Sequence, residues 1–290
     1  MALSPTLIAE ITRVLQEEQN LDLKVESVSH VSGGSINEAY RLSTHQGDFF
    51  LKHFHNPSHN HWFQTEAQGL QHLKKNGSLR IPEVLAVGSN FLLLEWVEEG
   101  RPNPESWEQF GRQLAQLHQV SDDRFGLDHN NFIGSLPQRN DQRSTWVEFF
   151  AELRLEPQLK MAIDSGQIST QEMPIFSRIF DRLEQWFPAE APSLLHGDLW
   201  SGNFLINGQG HAYLIDPAIY YGHREVDIAM TQLFGGFTQE FYRGYQEEFP
   251  LESGFVERID LANLYPLLVH VNLFGGGYVH QVIQAAKKFG

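Results

Sequence analysis

The stretch His196-Gly197-Asp198-Leu199-Trp200-Ser201-Gly202-Asn203 decides how the rest of the chain is read. It places a carboxylate and an amide five residues apart in a glycine-containing loop that leaves a short apolar strand at 193–195. Thirteen residues beyond Asn203, Asp216 ends a second apolar run, Tyr213-Leu214-Ile215. Asp198, Asn203 and Asp216 are hard oxygen donors at strand ends, and such donors suit Mg²⁺, which takes carboxylates together with substrate phosphates.

Phosphoryl transfer needs a cation on the nucleotide phosphates, metal ligands, a carboxylate for the attacking hydroxyl and a backbone cradle. Working outward toward the N-terminus, each part has a candidate. Lys52 stands in the apolar strand expected at 48–54, where Phe50, Lys52 and Phe54 share a face. Gly33, Gly34 and Ser35 separate strands expected at 25–31 and 36–43 and offer their N–H groups as the cradle. Glu66 follows Lys52 by fourteen residues on a helix expected at 60–76, placed to hold the ammonium. Asp198 fits the role of base, and Asn203 with Asp216 that of metal ligands. Singly, a strand lysine is more often snorkelling and an Asp before a Pro more often a turn. The complete set of roles, filled in this order, carries the assignment.

The same order resembles the aminoglycoside-phosphotransferase branch of the protein-kinase-like fold. More narrowly, residues 196–203 and Asp216-Pro217-Ala218 resemble the fructosamine kinase family, also called ketosamine kinases. Phe125-Gly126-Leu127-Asp128, Phe149-Phe150-Ala151-Glu152 and the run from Arg224 to Met230 resemble it too, so the match spans nearly the whole chain. The resemblance implies a bilobal α+β fold: an N-terminal antiparallel sheet with one main helix, then a mostly helical C-terminal lobe. It implies ATP and Mg²⁺ as cofactors, Asp198 as proton acceptor for a sugar hydroxyl, Asn203 and Asp216 on the metal, and Lys52 with Glu66 on the phosphates. The connecting segment Glu95, Trp96 and Val97 would offer backbone groups to adenine.

Departures from the protein-kinase pattern narrow the acceptor. Gly197 replaces an Arg before the catalytic Asp, and Pro217-Ala218 replaces Phe-Gly after the metal Asp. Only eleven positions separate Asp216 from Asp227, which leaves little room for an activation segment or a peptide platform. A small-molecule hydroxyl is therefore expected, with Asp227 bracing the catalytic loop from a helix start. Ser35 stands where some relatives carry a cysteine, so no thiol switch is expected there.

Composition sets the outer limits. The 290 residues contain no cysteine, which excludes disulfides, thiolate zinc sites, iron–sulfur clusters and cysteine nucleophiles, and fits a cytoplasmic location. A formal charge of −15 disfavours nucleic acid and anionic membranes and favours amines. The N-terminus lacks the pattern of a signal peptide and is instead read as a helix. Ser4 is its N-cap, Pro5 its first position, and Leu7, Ile8, Ile11, Val14 and Leu15 its apolar face. Residues 261–286 carry no Asp, Glu, Lys or Arg, yet Pro266 and Gly275-Gly276-Gly277 argue for two buried helices with a glycine break rather than a membrane span.

Strands are expected at 83–87 and 91–97. Helices follow at 104–119, 145–165, 170–186 and 224–233, interrupted only by short strands at 193–195, 203–207 and 212–215. The organisation expected is a nucleotide-binding lobe of residues 1–97 and a catalytic and acceptor-binding lobe of 98–290. His53, His55, His59 and His61 have no carboxylate among them and read as an exposed loop rather than a metal site. No Walker A loop, G-x-S-x-G or H-E-x-x-H is present.

The expected activity is ATP-dependent phosphorylation of a ketosamine, in a free small molecule or a glycated protein, which in the family destabilises the adduct and reverses glycation. Trp200 offers an aromatic face to the sugar or the amine cation. His270 and Asn272 lie in a C-terminal stretch of the kind that lines the acceptor pocket in this family. Two alternatives stand beside it: an aminoglycoside or other amino-alcohol phosphotransferase, and a catalytically silent nucleotide-binding module, against which the retained Lys52, Asp198, Asn203 and Asp216 argue.

Overall fold

The computed structural model describes residues 3–20, 22–31, 37–54 and 60–290. Gly33, Gly34, Ser35, His55 and His59 lie outside the described residues. The chain runs through α1 (Pro5–Gln19), β1 (Val25–Val31), β2 (Glu38–Thr44), β3 (Gly47–His53), α2 (Asn60–Asn76), β4 (Val84–Val87) and β5 (Phe91–Glu95). There follow α3 (Pro104–His118), β6 (Asn131–Ile133), β7 (Leu136–Gln138), α4 (Trp146–Phe150), a π-helical turn (Ala151–Leu155) and α5 (Glu156–Asp164). A 3₁₀ turn (Thr170–Glu172) leads to α6 (Met173–Phe180), α7 (Leu183–Trp186), β8 (Ser193–Leu195), β9 (Phe204–Ile206), β10 (Ala212–Leu214) and β11 (Tyr220–Gly222). The C-terminal helices are α8 (Glu225–Leu233), α9 (Gln239–Glu248), α10 (Phe255–Ala262), α11 (Leu264–Phe274) and α12 (Gly277–Phe289). Compactness divides these elements into two units, Met1–Asn103 with Phe204–Asp216, and Pro104–Asn203 with Pro217–Gly290.

The first unit is built on a five-stranded antiparallel sheet in the order β1-β2-β3-β5-β4. Alternation along β3 sends Leu51 into the core and leaves Lys52 facing the opposite side. Leu51 joins Leu42 and Leu93 beneath Leu7, Ile11, Val14 and Leu15 of α1. Helix α1 starts as its sequence dictates: Ser4 Oγ accepts from Leu7 N–H at 3.1 Å, with Pro5 at the first helical position. The β9–β10 hairpin belongs to this unit through Leu214 N–H donating to the Arg80 carbonyl and Gly100 N–H to that of Ile206. His53 ends β3 and is buried, which corrects the exposed-loop reading for that histidine.

The second unit is mostly helical. Helices α3 and α9 pack closely because each presents a glycine to the other's backbone, Gly111 to the Phe241 carbonyl and Gly244 to the Glu108 carbonyl. The expected long helix at 145–165 is broken into α4, the π turn and α5, and the one at 170–186 into α6 and α7. Strands β6, β7 and β11 add to those expected; each is three residues long, too short to show a period, and none is a purely apolar run of the kind that marks β9 (Phe204–Ile206). The apolar 261–286 region forms two helices broken at Gly275 and Gly276, both with positive φ (63° and 61°). Helix α11 is largely buried as expected, whereas α12 is amphipathic and buries only Val282, Ala285, Ala286 and Phe289, which corrects the expectation of a second buried helix. Among the described residues no helix is long and apolar enough to cross a membrane.

Candidate active site

In the first unit, the Lys52 ammonium bonds Glu66 Oε1 at 2.7 Å and pairs directly with the Asp216 carboxylate. The Lys52 side chain is 6% exposed, Glu66 18% and Asp216 42%. Burial alone would push the Lys52 pKa down, but the charges of Asp216 and Glu66 outweigh it and hold the ammonium above its ordinary value. Burial, joined by repulsion from Asp216, raises the Glu66 carboxyl against the pull of Lys52. Asp216 is held at φ 54°, a left-handed conformation that only Asp, Asn and Gly adopt readily, directly before Pro217. Neither the Lys52–Asp216 pair nor this backbone state was read from the sequence, because both depend on contacts between residues far apart in the chain.

At the end of β5, Glu95, Trp96 and Val97 border a cavity of about 260 Å³ completed by Gly208, Gln209 and Tyr213. Trp96 donates from Nε1 to Glu98 at 2.7 Å, and the Arg41 guanidinium lies 4.6 Å above its ring. These contacts fix the Trp96 side chain.

In the second unit, β8 delivers His196, Gly197 and Asp198. Asp227, at the start of α8, accepts from the backbone N–H groups of His196 at 2.7 Å and Gly197 at 3.0 Å, the bracing expected of it. His118 Nε2 lies 3.3 Å from the same carboxylate, and its Nδ1 is 2.8 Å from Tyr245 Oη. Gly197 has φ 82°, and a Cβ there would collide with the Ala218 carbonyl oxygen. That closeness is what a glycine in place of Arg permits. Asn203 donates from Nδ2 to the Asp198 backbone carbonyl at 2.8 Å and to its carboxylate at 3.0 Å.

Because the Asn203 nitrogen is committed to Asp198, its Oδ1 is the atom left to face a cation. An amide oxygen and carboxylates form a hard donor set, so the residues fit Mg²⁺.

Trp200 is 36% exposed and covers Gly202, with its ring 6.0 Å from that of Phe234. Phe234 continues the row to His270 at 4.9 Å, and His270 to Tyr278 at 4.9 Å. His270 Nδ1 lies 2.7 Å from the Pro266 carbonyl, so Nδ1 donates and Nε2 remains an acceptor; burial pushes this imidazole below its ordinary pKa. Asn272 does not join the row, since its amide donates to Gln158 at 2.9 and 2.7 Å.

The family model of fructosamine kinase matches residues 7–289. The chain belongs to the fructosamine kinase family. It is 39% identical over 290 residues to a Synechocystis protein named "Probable ketoamine kinase", covering 98% of this chain and 97% of that protein. It is 35% identical to the chloroplastic protein-ribulosamine 3-kinase of Arabidopsis thaliana, over 88% of this chain and 80% of that one. Among solved structures, a Thermobifida fusca protein of the fructosamine-3-kinase type superposes with a TM-score of 0.88 at 35% identity, covering 96% and 97% of the two chains. An aminoglycoside phosphotransferase bound to ADP superposes with a TM-score of 0.65 at 15% identity over 95% and 98%, a likeness of fold alone. The fold is thus the expected protein-kinase-like one, and the family is an ATP-using kinase family with an alcohol acceptor.

Proposed function

We propose that this chain is an ATP-dependent ketosamine kinase that transfers a phosphoryl group to a sugar hydroxyl of a fructosamine-, ribulosamine- or erythrulosamine-type adduct. The observation that carries the reading is Asp198, held by Asn203 in a loop braced by Asp227, within a chain that matches the family from end to end. Asp198 accepts the hydroxyl proton or orients the hydroxyl, and Asn203 presents its carboxylate. Asn203 Oδ1 and Asp216 would hold Mg²⁺; the bond from Asp216 to Lys52 leaves that carboxylate further acceptor capacity. When bound, Mg²⁺ neutralises charge developing on the phosphate oxygens. Lys52, held by Glu66, supplies a second positive charge to the phosphates, and the backbone of Gly33, Gly34 and Ser35 completes the cradle. Backbone groups of Glu95, Trp96 and Val97 receive adenine at the cavity they border.

By role, residues 1–97 bind nucleotide and residues 98–290 carry catalysis and the acceptor. Trp200 forms a wall of the acceptor site and gives an aromatic face to the sugar or its amine, while neutral His270 offers Nε2 to a hydroxyl. Asn272 Nδ2 holds α11 against α5 through Gln158, while its buried Oδ1, which has no hydrogen-bond partner among the described residues, is the atom it offers to the acceptor. Acceptors include small ketosamines and, we propose, glycated lysines on proteins, in the cytoplasm, where phosphorylation destabilises the adduct. The aminoglycoside alternative is not favoured, because the relatives at 35–39% identity carry ketoamine and ribulosamine kinase names.

A mass-spectrometric screen for added phosphate tests the reading, with ATP, Mg²⁺ and a panel of ribulosamine, erythrulosamine, fructosamine and aminoglycosides. Phosphate on a ketosamine is the expected result. Phosphate on aminoglycosides alone, or on nothing in the panel, would overturn it.

A further inference from the structure

Arg154 is fully buried in the π-helical turn, and among the described residues no carboxylate lies within salt-bridge reach of it. Its guanidinium donates from Nη1 to the carbonyls of Arg139 at 2.6 Å and Leu153 at 3.1 Å, and from Nη2 to Asn140 Oδ1 at 2.6 Å; Nε has no partner. Aromatic faces supply the remainder, with the guanidinium carbon 4.0 Å from the Tyr220 ring centroid, 4.4 Å from Phe149 and 5.4 Å from Tyr265. Burying a charge without a counter-charge is costly, and π faces with carbonyl oxygens offset only part of it. A leucine or methionine would fill the same space without that cost. π-Helical turns are rare within α-helical runs and recur at functional sites.

Two routes lead from this cation to the catalytic loop. The first is steric. Tyr220, which faces the guanidinium, pairs in β11 with Leu195 of β8, one residue before His196. A Cβ on Gly197 would lie 3.3 Å from the Tyr220 ring, so that ring supports the backbone next to Asp198. The second is polar. Asn140, which accepts from Arg154, donates to Asn131 Oδ1 at 2.9 Å, and Asn131 donates to the Ile219 carbonyl at 2.8 Å. Gln138 donates to Asn131 Oδ1 at 2.8 Å and to the Ala218 carbonyl at 3.0 Å. Ala218 N–H in turn donates to the His196 carbonyl at 2.9 Å. Both routes converge on residues 218–220, just beyond Asp216-Pro217, and on residues 195–197, just before Asp198.

We propose that Arg154 is a positioning residue for phosphoryl transfer: through Tyr220 and the Asn140–Asn131 amides it fixes the backbone on which Asp198 and the exit from Asp216 depend. Asp227 braces the loop from α8, and Arg154 braces it from the π turn. The surroundings are dry enough that burial pushes the Tyr220 hydroxyl up to about 12. In such a medium the guanidinium bonds are strong and hard to replace with water. A misplacement of about 1 Å in a reacting group can cost about 10²-fold, so loss of this support should reduce turnover on the order of 10- to 100-fold.

The kinetic consequence rests on the ketosamine kinase reading, so the test has one arm that does not. Arg154→Met keeps length and volume and removes charge and donors; Arg154→Lys keeps the charge and part of the donation. For Arg154→Met, kcat on the wild type's best ketosamine should fall by that factor, while KM for ATP and for the acceptor stay within about twofold. Arg154→Lys should recover part of kcat. Independently of any substrate, hydrogen exchange in the full-length Met variant should accelerate at the amides of 196–198 and 218–221, with α3 and α9 unchanged. If the wild type phosphorylates no ketosamine, the proposed reaction fails and the exchange arm alone decides on Arg154. Wild-type kcat in Arg154→Met, or exchange that accelerates throughout the unit in proportion to lost stability, overturns the positioning role. Should Arg154→Met not fold, Arg154→Lys decides: reduced kcat at constant KM supports the role, and wild-type kcat overturns it.

Discussion

Lys52 and Asp216, 164 residues apart in the chain, are joined ammonium to carboxylate, while Glu66 holds the same ammonium at 2.7 Å. One cation thus serves two acids. Lys52→Met would leave Glu66 and Asp216 facing each other uncompensated. Breaking a buried pair costs about 3–5 kcal/mol, and the half-exposed Asp216 places this one at about 3 kcal/mol. Urea unfolding checks it, with ATP turnover expected to collapse in whatever remains folded. A variant as stable as wild type would show that the acids do not depend on this lysine.

Asp198→Asn should retain nucleotide binding and lose about 10²-fold or more in turnover, the scale for a misplaced or absent general base. The amide is nearly isosteric, and Asn203 Nδ2 can still donate to its oxygen. Calorimetric ATP binding beside acceptor-dependent turnover separates the effects, and near-wild-type turnover would remove Asp198 from its role.

Trp200→Ala distinguishes a wall from a core anchor. Burial of an anchor would make the truncation cost about 3–5 kcal/mol. At 36% exposure, packed over Gly202 and edge-on to Phe234, Trp200 should cost well below that. The expected outcome is a raised acceptor KM or lowered kcat, with KM for ATP and Tm nearly unchanged. A large fall in Tm with unaltered acceptor kinetics would reverse the assignment.

Acid sensitivity should carry a contribution from His270. Burial depresses its folded pKa below 6.5, so between that depressed value and 6.5 the unfolded chain binds more protons than the folded one. Stability therefore rises with pH across the window and is lost as pH falls through it. His223 is depressed for the same first reason, burial, and remains in the variant. His270→Gln should thus flatten the acid side of a plot of urea midpoint against pH without abolishing it. Superimposable slopes would mean His270 does not titrate differently in the folded state.

What the sequence revealed follows from what its signals encode. Ser4 and Pro5 announce a helix start because capping is local, and the Lys52-to-Glu66 spacing survives because β3 and α2 are consecutive elements. Asp227 was legible as a brace because it opens a helix shortly after Asp216. The three-residue strands β6, β7 and β11 carry too few residues for a period; β6 and β7 form a short local hairpin, and β11 owes its pairing to the distant β8. Arg154 was invisible for a related reason. In sequence it is one charge on a helical pattern; only the folded chain surrounds it with Phe149, Tyr220 and Tyr265. Asn272 was legible only as a polar residue in an apolar run; that its Nδ2 meets Gln158 while its Oδ1 is left without a partner among the described residues depends on the packing of α11 against α5.

The β9–β10 hairpin, which joins a unit whose other residues end at Asn103, limits how the gene can be cut. A fragment ending at Asn103 would lose the partners of Arg80 and Gly100, the Leu214 amide and the Ile206 carbonyl, and also Asp216, one of the two acids on Lys52. Such a half-protein would present bare backbone where the hairpin should pair, a recipe for aggregation on expression. Split-protein complementation or domain exchange with relatives must therefore carry Phe204–Asp216 along with the N-terminal piece, by circular permutation rather than by a single cut.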